Sequence, residues 1–295
     1  MTRVAAVDIG TNSTRLLVAD VEGEAVRELD RRLEITRLGE GVDERRILLP
    51  QAIARVRNVL ADYRRGVKEA GAERALAFAT SAVRDAENGE AFLGEVEWSY
   101  GFRTALLSGD QEALLTFRGV SAGREVSPRT IVIDVGGGST ELILGSPEGV
   151  SFHTSLDLGC VRLTERHGDD LDAMAAEVRS ALPPLHVERA LNVDGTTAEL
   201  AALAGSRTVT LAAIDRALAW IVESDNDERR ARLIEPDRSD VLAAGVVVVR
   251  ETLRHLGLDE TTASDRDLLN GIALAAARLP EPTEGAAPPG AYTCC

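Results

Sequence analysis

The stretch DIGTNSTRLL, residues 8–17, decides the fold, because the chain repeats it in DVGGGSTELIL, residues 134–144. Asp, Gly, Ser and Thr recur at the same positions of both stretches. Each copy follows an apolar run, VAAV or TIVI, and is followed by another. Two apolar runs joined by a tight, glycine-bearing turn are typical of a β-hairpin. The sequence therefore predicts two related hairpins, each of which opens a domain-sized segment.

Both hairpin turns combine residue types that suit an anionic ligand. Glycines let the backbone approach a ligand closely and offer its N–H groups to oxygen atoms. A Ser or Thr hydroxyl adds a side-chain donor, and an Asp carboxylate can hold a divalent cation or its waters. One such turn could be an ordinary tight hairpin. Two copies favour a pair of loops that face each other across a cleft and hold a phosphate chain with its Mg²⁺ or Mn²⁺.

The composition bounds the class of protein. A length of 295 residues suits two domains, and 44% hydrophobic with 27% charged residues is typical of a globular chain. The formal net charge of −15 argues against a nucleic-acid partner, which needs a basic face. The longest apolar run, residues 241–249, is shorter than the roughly 20 residues of a membrane helix. With no signal-peptide pattern and only three cysteines, we expect a cytoplasmic protein without a membrane partner.

Hydrophobic periodicity predicts further elements along the chain. Strands are expected at 3–9, 14–21 and 26–37, and a helix over 47–71. Residues 74–85 indicate a buried strand that runs into a polar turn. Further helices are predicted at 109–120, 169–182, 194–204, 210–233, 238–256 and 264–279.

Small, polar and proline-bearing residues at 121–129 indicate a domain boundary. We therefore expect an N-terminal domain at 1–125 and a C-terminal domain at 126–280, whose last helix could pack back on the first domain. The segment 281–295 is rich in Pro, Gly and Ala, which predicts a disordered tail.

The pair of hairpins resembles the actin, sugar kinase and heat-shock chaperone superfamily, whose two phosphate loops have this form. The closer resemblance is to the exopolyphosphatase and guanosine pentaphosphate phosphatase family, and it extends to about residue 279. It implies two ribonuclease H-like, actin-like α/β domains that face each other across a cleft. Seven segments carry the resemblance, in an order and spacing that are specific: VDIGTNSTRLLV (7–18), FATSAVRDAENG (78–89), LSGDQEALLTFRGV (107–120), IVIDVGGGSTELILG (131–145), LDLGCVRLTERHG (156–168), VDGTTAEL (193–200) and SDRDLLNGI (264–272).

The resemblance implies hydrolysis of a phosphoanhydride bond. The transition state of this reaction spreads negative charge over phosphoryl oxygens, so positioning and electrostatics dominate catalysis. Glu112 matches the carboxylate that the family uses as catalytic base; by itself it is also an acidic residue of the kind that a helix N-terminus favours. Arg84 matches a family Arg near the substrate channel, with a surface salt bridge to Asp85 or Glu87 as the alternative.

Other residues are predicted to hold phosphate or metal. Glu141 stands in the second hairpin where the first has Arg15, so one strand presents a carboxylate and the other a cation. A helix that begins at Gly195 could bind phosphate at its N-terminus, and a simple cap by Asp194 is the alternative. The role of Arg162 stays open, and Cys160 is expected to be a packing residue. The predicted metal ligands are Asp8, Asp134 and Glu141, and the predicted phosphate-binding residues are Gly10, Thr11, Asn12, Ser13, Thr14, Arg15, Arg84, Gly136, Gly137, Gly138, Ser139, Thr140, Gly195 and Thr196.

We expect a homodimeric exopolyphosphatase that removes terminal phosphates from linear inorganic polyphosphate. Long family members carry additional C-terminal helical domains that this sequence lacks, which favours short polyphosphate chains. Hydrolysis of guanosine pentaphosphate, the substrate linked to the stringent response, is the nearest alternative, and the sequence does not separate the two. A weakly active regulator that binds polyphosphate or nucleotide is disfavoured because Glu112 and the three acidic ligands are all present. A kinase is disfavoured because a base placed for water suits hydrolysis.

Overall fold

The computed structural model describes residues 1–124, 126–146 and 149–279. They form two compact units, each built on its own β-sheet. The first unit contains residues 1–124 and 266–279, and the second contains the described residues between them. The last helix therefore belongs to the first unit, whereas the sequence boundaries grouped residues up to 280 with the second. The predicted tail at 281–295 lies outside the described residues.

The first unit has five strands and six helices in its described part. The chain enters a hairpin at once, continues into a third antiparallel strand, and then alternates helix and strand. The strands are β1 (Thr2–Ile9), β2 (Ser13–Glu22), β3 (Ala25–Ile35), β4 (Arg74–Ala79) and β5 (Arg103–Leu106). The helices are α1 (Val42–Arg45), α2 (Pro50–Glu69), α3 (Ser81–Asp85), α4 (Gly89–Tyr100) and α5 (Gly109–Ser121), with α12 (Leu268–Ala276) near the end of the described chain.

None of the helices in the described ranges could span a membrane.

The second unit repeats the opening of the first: a hairpin, a third antiparallel strand, and then alternating helices and strands. The strands are β6 (Thr130–Val135), β7 (Thr140–Ser146), β8 (Gly149–Leu156), β9 (Arg189–Val193), β10 (Thr208–Thr210) and β11 (Glu260–Ala263). The helices are α6 (Cys160–His167), α7 (Leu171–Ala181), α8 (Gly195–Ala204), α9 (Leu211–Glu223), α10 (Asn226–Arg232) and α11 (Leu242–Leu256), with a 3₁₀ turn at Pro236–Arg238.

The two sheets share one topology. The first has the order β3-β2-β1-β4-β5, and the second has β8-β7-β6-β9-β11 with β10 added at its edge. In both, the first three strands are antiparallel, and the next two run parallel to the first strand. This is the ribonuclease H-like arrangement, so the predicted α/β fold class is confirmed.

The apolar run at the start of the chain forms the centre of the first sheet because helices cover both faces of it. Successive side chains of a strand point to opposite faces. Ala5 and Val7 pack into a core that includes residues of α2 and α4, whereas Val4 and Ala6 pack into a second core with α12. A strand buried on both faces reads as a continuous apolar run rather than as an alternating one.

Three predicted elements differ from the structure. The helix predicted over 210–233 is broken between α9 and α10, because Asp225 begins a new helix through a capping box with Glu228. The polar turn predicted at the end of 74–85 is the short helix α3. The helix predicted from 238 begins at Leu242, after the 3₁₀ turn.

Helices α5 and α12 of the first unit pack with their backbones in close approach. A Cβ atom built on Gly119 would lie 2.1 Å from the backbone oxygen of Asp267, and one on Gly271 would lie 1.9 Å from that of Leu115. Any larger residue would push the two helices apart. The position of α5 therefore depends on these two glycines.

We expect Gly271→Ala to lower the free energy of unfolding by about 1–3 kcal/mol, the usual cost of overpacking a filled site. Gly94→Ala is the matched control, because Gly94 is an exposed helical glycine with no atom within 4 Å of the added Cβ. The control should stabilise the protein by up to about 1 kcal/mol through helix propensity. Urea unfolding measures both, and equal midpoints for the two variants would contradict the packing argument.

Candidate functional site

The turn of each hairpin is closed by the same hydrogen bond. The N–H of Gly10 donates to the backbone oxygen of Ser13 at 2.9 Å, and the N–H of Gly136 donates to that of Ser139, also at 2.9 Å. A Cβ on Gly10 would lie 3.0 Å from the oxygen of Ser13, and one on Gly136 would lie 3.2 Å from that of Ser139. Glycine is therefore needed in both turns because the backbone approaches itself closely.

In the first turn, the carbonyl groups bind the segment that follows β3. The oxygen of Thr11 accepts from the N–H of Gly39 at 2.8 Å. The oxygen of Asn12 accepts from the N–H groups of Thr36 and Arg37, at 3.0 and 2.8 Å. These bonds fix the orientation of both peptide planes.

In the second turn, the N-terminus of α6 binds the carbonyl groups. The oxygen of Gly136 accepts from the N–H of Cys160 at 3.0 Å, and the oxygen of Gly137 accepts from that of Val161 at 2.9 Å. The oxygen of Gly138 accepts from Nε of Arg162 at 2.8 Å. The side chain of Arg162, whose role the sequence left open, therefore holds this loop.

The N–H groups of the same peptides consequently point away from the segments that bind the carbonyl oxygens. In a planar trans peptide the C=O and the following N–H point in opposite directions, so a carbonyl bound on one side turns its N–H to the other. Within the described residues, the N–H groups of Asn12, Gly137 and Gly138 donate no hydrogen bond. Successive outward N–H groups of this kind suit an anion such as phosphate.

Three of the threonines predicted to bind phosphate use their hydroxyl groups within their own unit. The hydroxyl of Thr11 lies 2.7 Å from that of Ser81, and the hydroxyl of Thr14 lies 3.0 Å from that of Thr36. The hydroxyl of Thr140 donates to the backbone oxygen of Leu158. For these three residues, the backbone is therefore the better candidate for the predicted phosphate contact than the side chain.

The two hairpins differ in the charge that each strand pair presents. Asp8 lies opposite Arg15 across β1 and β2, and one oxygen of its carboxylate accepts from Nη2 and Nε of Arg15 at 2.7 and 2.9 Å. In the second hairpin, Asp134 lies opposite Glu141 across β6 and β7. Two like charges that face each other across a strand pair are unfavourable, so this pair suits a bound cation.

The carboxylate of Asp8 also has the features of a ligand. Burial raises its pKa above the usual range, and the neighbouring Arg15 offsets part of that shift. Its second oxygen, Oδ1, is buried and accepts no hydrogen bond from the described residues. The carboxylate oxygens of Asp8, Asp134 and Glu141 are therefore of the kind that suits a divalent cation.

A complete metal centre is not assembled within the described residues, where no group of three or more His, Cys, Asp or Glu side chains is arranged to hold an ion. Asp8 belongs to the first unit, and Asp134 and Glu141 belong to the second. The predicted ligand set therefore stays a prediction.

Glu112 lies in the first turn of α5, where a capping box between Ser108 and Gln111 begins the helix. Its side chain is buried rather than solvated, unlike an acidic residue that only interacts with the helix dipole. Nη1 of Arg84 lies 3.6 Å from the carboxylate of Glu112 and donates to the backbone oxygen of Leu107 at 2.7 Å. The structure thus brings together the predicted base and the predicted channel arginine.

The N-terminus of α8 is capped by Asp194. Its carboxylate accepts from the N–H of Thr197 at 2.8 Å and from the N–H of Val135, at the end of β6, at 2.6 Å. Asp194 has φ 110° and ψ 178°, a conformation that glycine adopts far more readily than other residues. The helix cap that the sequence offered as an alternative is therefore present, and it ties α8 to the second hairpin.

Arg238 is a candidate site residue that the sequence analysis missed. Its guanidinium lies against Gly195, where an added Cβ would come within 2.2 Å of Cζ. The side chain is buried, and among the described residues it forms no hydrogen bond or ion pair. A buried charge without a counter-charge is costly, so this position suits an anion. No local pattern marks Arg238, because tertiary packing alone brings it to α8.

Cys160 is the first residue of α6 and is fully enclosed. Burial raises the pKa of its thiol to about 11, so the thiol stays protonated at neutral pH. It packs in the core of the second unit, as expected from the sequence.

We expect the thiol of Cys160 to resist iodoacetamide at pH 8 in the folded protein, because the thiolate is the reactive form. In urea, the same thiol should react at the rate of an ordinary cysteine with a pKa of about 8.5. Mass spectrometry of the peptide that contains Cys160 follows the reaction in both states. Equal rates in the folded and unfolded protein would show that the thiol is accessible and ionised.

The chain is similar to known proteins in sequence and in fold. The model of the Ppx/GppA phosphatase family matches residues 17–182. Exopolyphosphatase 2 of Mycobacterium tuberculosis is 38% identical, over 94% of this chain and 99% of that protein. The guanosine-5'-triphosphate,3'-diphosphate pyrophosphatase of Vibrio atlanticus is 31% identical, over 60% of this chain and 36% of that protein. The crystal structure of the Aquifex aeolicus member of the Ppx/GppA family has a TM-score of 0.76 at 28% identity, over 94% of this chain and 97% of that one.

Proposed function

We propose that this chain, which belongs to the Ppx/GppA phosphatase family, is an exopolyphosphatase that releases terminal phosphate from linear inorganic polyphosphate. The observation that carries the proposal is the pair of glycine-bearing turns whose carbonyl groups are bound and whose N–H groups are left to donate. The similarity to Exopolyphosphatase 2 over nearly the whole of both chains supports the choice of substrate.

In the proposed mechanism, the N–H groups of Asn12, Gly137 and Gly138 bind phosphate oxygens. The charge that develops on the transferred phosphoryl group is then stabilised by donors that are already oriented, so little reorganisation is needed during the reaction. Arg238, which is buried and forms no ion pair within 4 Å among the described residues, supplies a positive charge at the N-terminus of α8.

Glu112 acts as the general base. Its carboxylate accepts a proton from the attacking water. The oxygen of that water forms the new bond to the terminal phosphorus as the bond between this phosphorus and the rest of the polyphosphate chain, the leaving group, breaks. Arg84, whose Nη1 lies 3.6 Å from that carboxylate, places a positive charge beside it.

We propose Mg²⁺ or Mn²⁺ as the cofactor, with Asp134 and Glu141 as ligands and Asp8 contributing its second carboxylate oxygen. Such an ion neutralises charge on the phosphate chain when bound. The support is the facing pair of carboxylates in the second hairpin and the buried Oδ1 of Asp8.

Guanosine pentaphosphate is a second candidate substrate, and the similarity to the Vibrio atlanticus enzyme favours it over other nucleotides. The same loops and the same base would serve both reactions. A preference for short polyphosphate, a homodimer and a cytoplasmic location also remain predictions.

The proposal is tested by measuring phosphate release side by side from short polyphosphate, long polyphosphate, guanosine pentaphosphate and ATP. We expect the highest kcat/KM on short polyphosphate with Mg²⁺, and loss of turnover in excess chelator, because a chain of net charge −15 repels a bare polyanion. Undiminished turnover in chelator would exclude the metal. A higher kcat/KM on guanosine pentaphosphate than on polyphosphate would make the nucleotide the substrate.

We expect Glu112→Gln to lower kcat for polyphosphate by about 10²- to 10⁴-fold, the usual contribution of a positioned general base. Binding should survive, because the hairpin turns hold the phosphates. Asp110→Asn is the matched control, since it removes the same charge from an exposed position in the same helical turn, and its kcat should stay near that of the wild type. Turnover and titration calorimetry are measured on both variants. Normal turnover in Glu112→Gln would remove Glu112 from the mechanism, and loss of binding would make it a ligand residue instead.

A further inference from the structure

The side chain of Arg15, predicted to bind phosphate, lies between two carboxylates of the first unit. Its Nε and Nη2 donate to Oδ2 of Asp8, and its Nη1 donates to Oδ2 of Asp267 at 2.9 Å. Asp267 comes from the segment that re-enters the first unit after Asp265. These three residues form an ion-pair chain that ends at the first hairpin turn.

Each member of the ion-pair chain is largely shielded from water. The side chains of Arg15 and Asp267 are 16% and 14% exposed, and that of Asp8 is 5% exposed. Coulomb interactions between shielded charges are screened much less by salt than those at the surface. The orientation of Asp8 is therefore coupled to the position of Asp267.

Asp267 is itself held in place by its surroundings. Its Oδ1 accepts from the N–H of Leu269 and so caps α12, while Arg31 donates to Oδ2 at 3.2 Å. Its backbone oxygen lies against Gly119 of α5, with no room for a Cβ there. Asp267 thus belongs to the same rigid packing that positions the helix of Glu112.

We propose that Asp267 is a positioning residue for the hydrolysis reaction, acting through Arg15 to fix the carboxylate of Asp8. This rests on the proposed function, in which Asp8 contributes Oδ1 to the bound cation. With Asp267 in place, Arg15 holds Oδ2 of Asp8, and Oδ1 is left as the oxygen without a hydrogen bond from the described residues. Without it, Arg15 loses the carboxylate that binds its Nη1 and can turn away from Asp8.

The variant Asp267→Asn separates this role from helix capping. Asparagine caps helices as well as aspartate does, so α12 should keep its cap. The amide NH₂ that replaces Oδ2 cannot accept from Arg15. Glu28→Gln is the matched control, because Glu28 binds Arg31 at the exposed end of the same set of ion pairs.

We expect Asp267→Asn to lower kcat for short polyphosphate by about 10- to 100-fold, the usual effect of removing a residue that orients a metal ligand. The Mg²⁺ concentration for half-maximal activity should rise, while polyphosphate affinity measured by calorimetry stays within about 2-fold. Glu28→Gln should match the wild type in both. Wild-type kcat and Mg²⁺ dependence in Asp267→Asn would overturn the proposal, as would a fall in kcat that only follows a loss of folded protein.

Comparison with Asp8→Asn separates the positioning role of Asp267 from the proposed function. If Asp267 acts through Asp8, the double variant should be no slower than Asp8→Asn alone, whereas multiplicative losses would overturn the proposal. A wild type that releases no phosphate from any substrate would refute the proposed function instead. The coupling of Asp267 to Asp8 is then tested by urea unfolding. Non-additive effects of the two substitutions on the free energy of unfolding support the coupling, and additive effects overturn it.

Discussion

The hydrogen bond that closes each hairpin turn, from a glycine N–H to a serine backbone oxygen three residues later, is the constraint on which the rest of the site depends. It brings the backbone so close to itself that a side chain at the glycine would be crowded. Once the turn is closed, neighbouring N–H groups bind its carbonyl oxygens from behind. The backbone donors are thus oriented by the protein alone, and in the proposed mechanism little reorganisation of them is needed during the reaction.

The difference between the two hairpins is as informative as their similarity. In the first, Arg15 binds Asp8 within the same strand pair and also binds Asp267. In the second, Glu141 stands opposite Asp134, so both strands of the pair carry an acidic residue. The two hairpins thus share a backbone turn but differ in charge: the first pairs an acid with an arginine, and the second pairs two acidic residues.

The sequence predicted the features that local patterns encode. The repeat of 8–17 at 134–144 predicted both hairpins, and the apolar runs predicted the central strands. The burial of Glu112 beside Arg84 fits the base role that the family resemblance implies. The break between α9 and α10 was missed although its capping box is visible in the sequence at Asp225 and Glu228.

Other features depend on tertiary packing that no local pattern records. Arg238 reaches α8 only because the 3₁₀ turn before α11 packs there, and the return of α12 to the first unit brings Asp267 to Arg15 across the length of the chain. The internal hydrogen bonds of Thr11, Thr14 and Thr140 likewise follow from neighbours distant in sequence. Residue type alone suggested phosphate contacts for these hydroxyl groups, because the competing partners could not be seen.

The most direct test of this account is a crystal structure of the Glu112→Gln protein with short polyphosphate and Mg²⁺. The account predicts phosphate oxygens within about 3.2 Å of the backbone nitrogens of Asn12, Gly137 and Gly138, the usual limit for an N–H donor. A polyphosphate bound elsewhere, with these N–H groups in contact only with water, would contradict it.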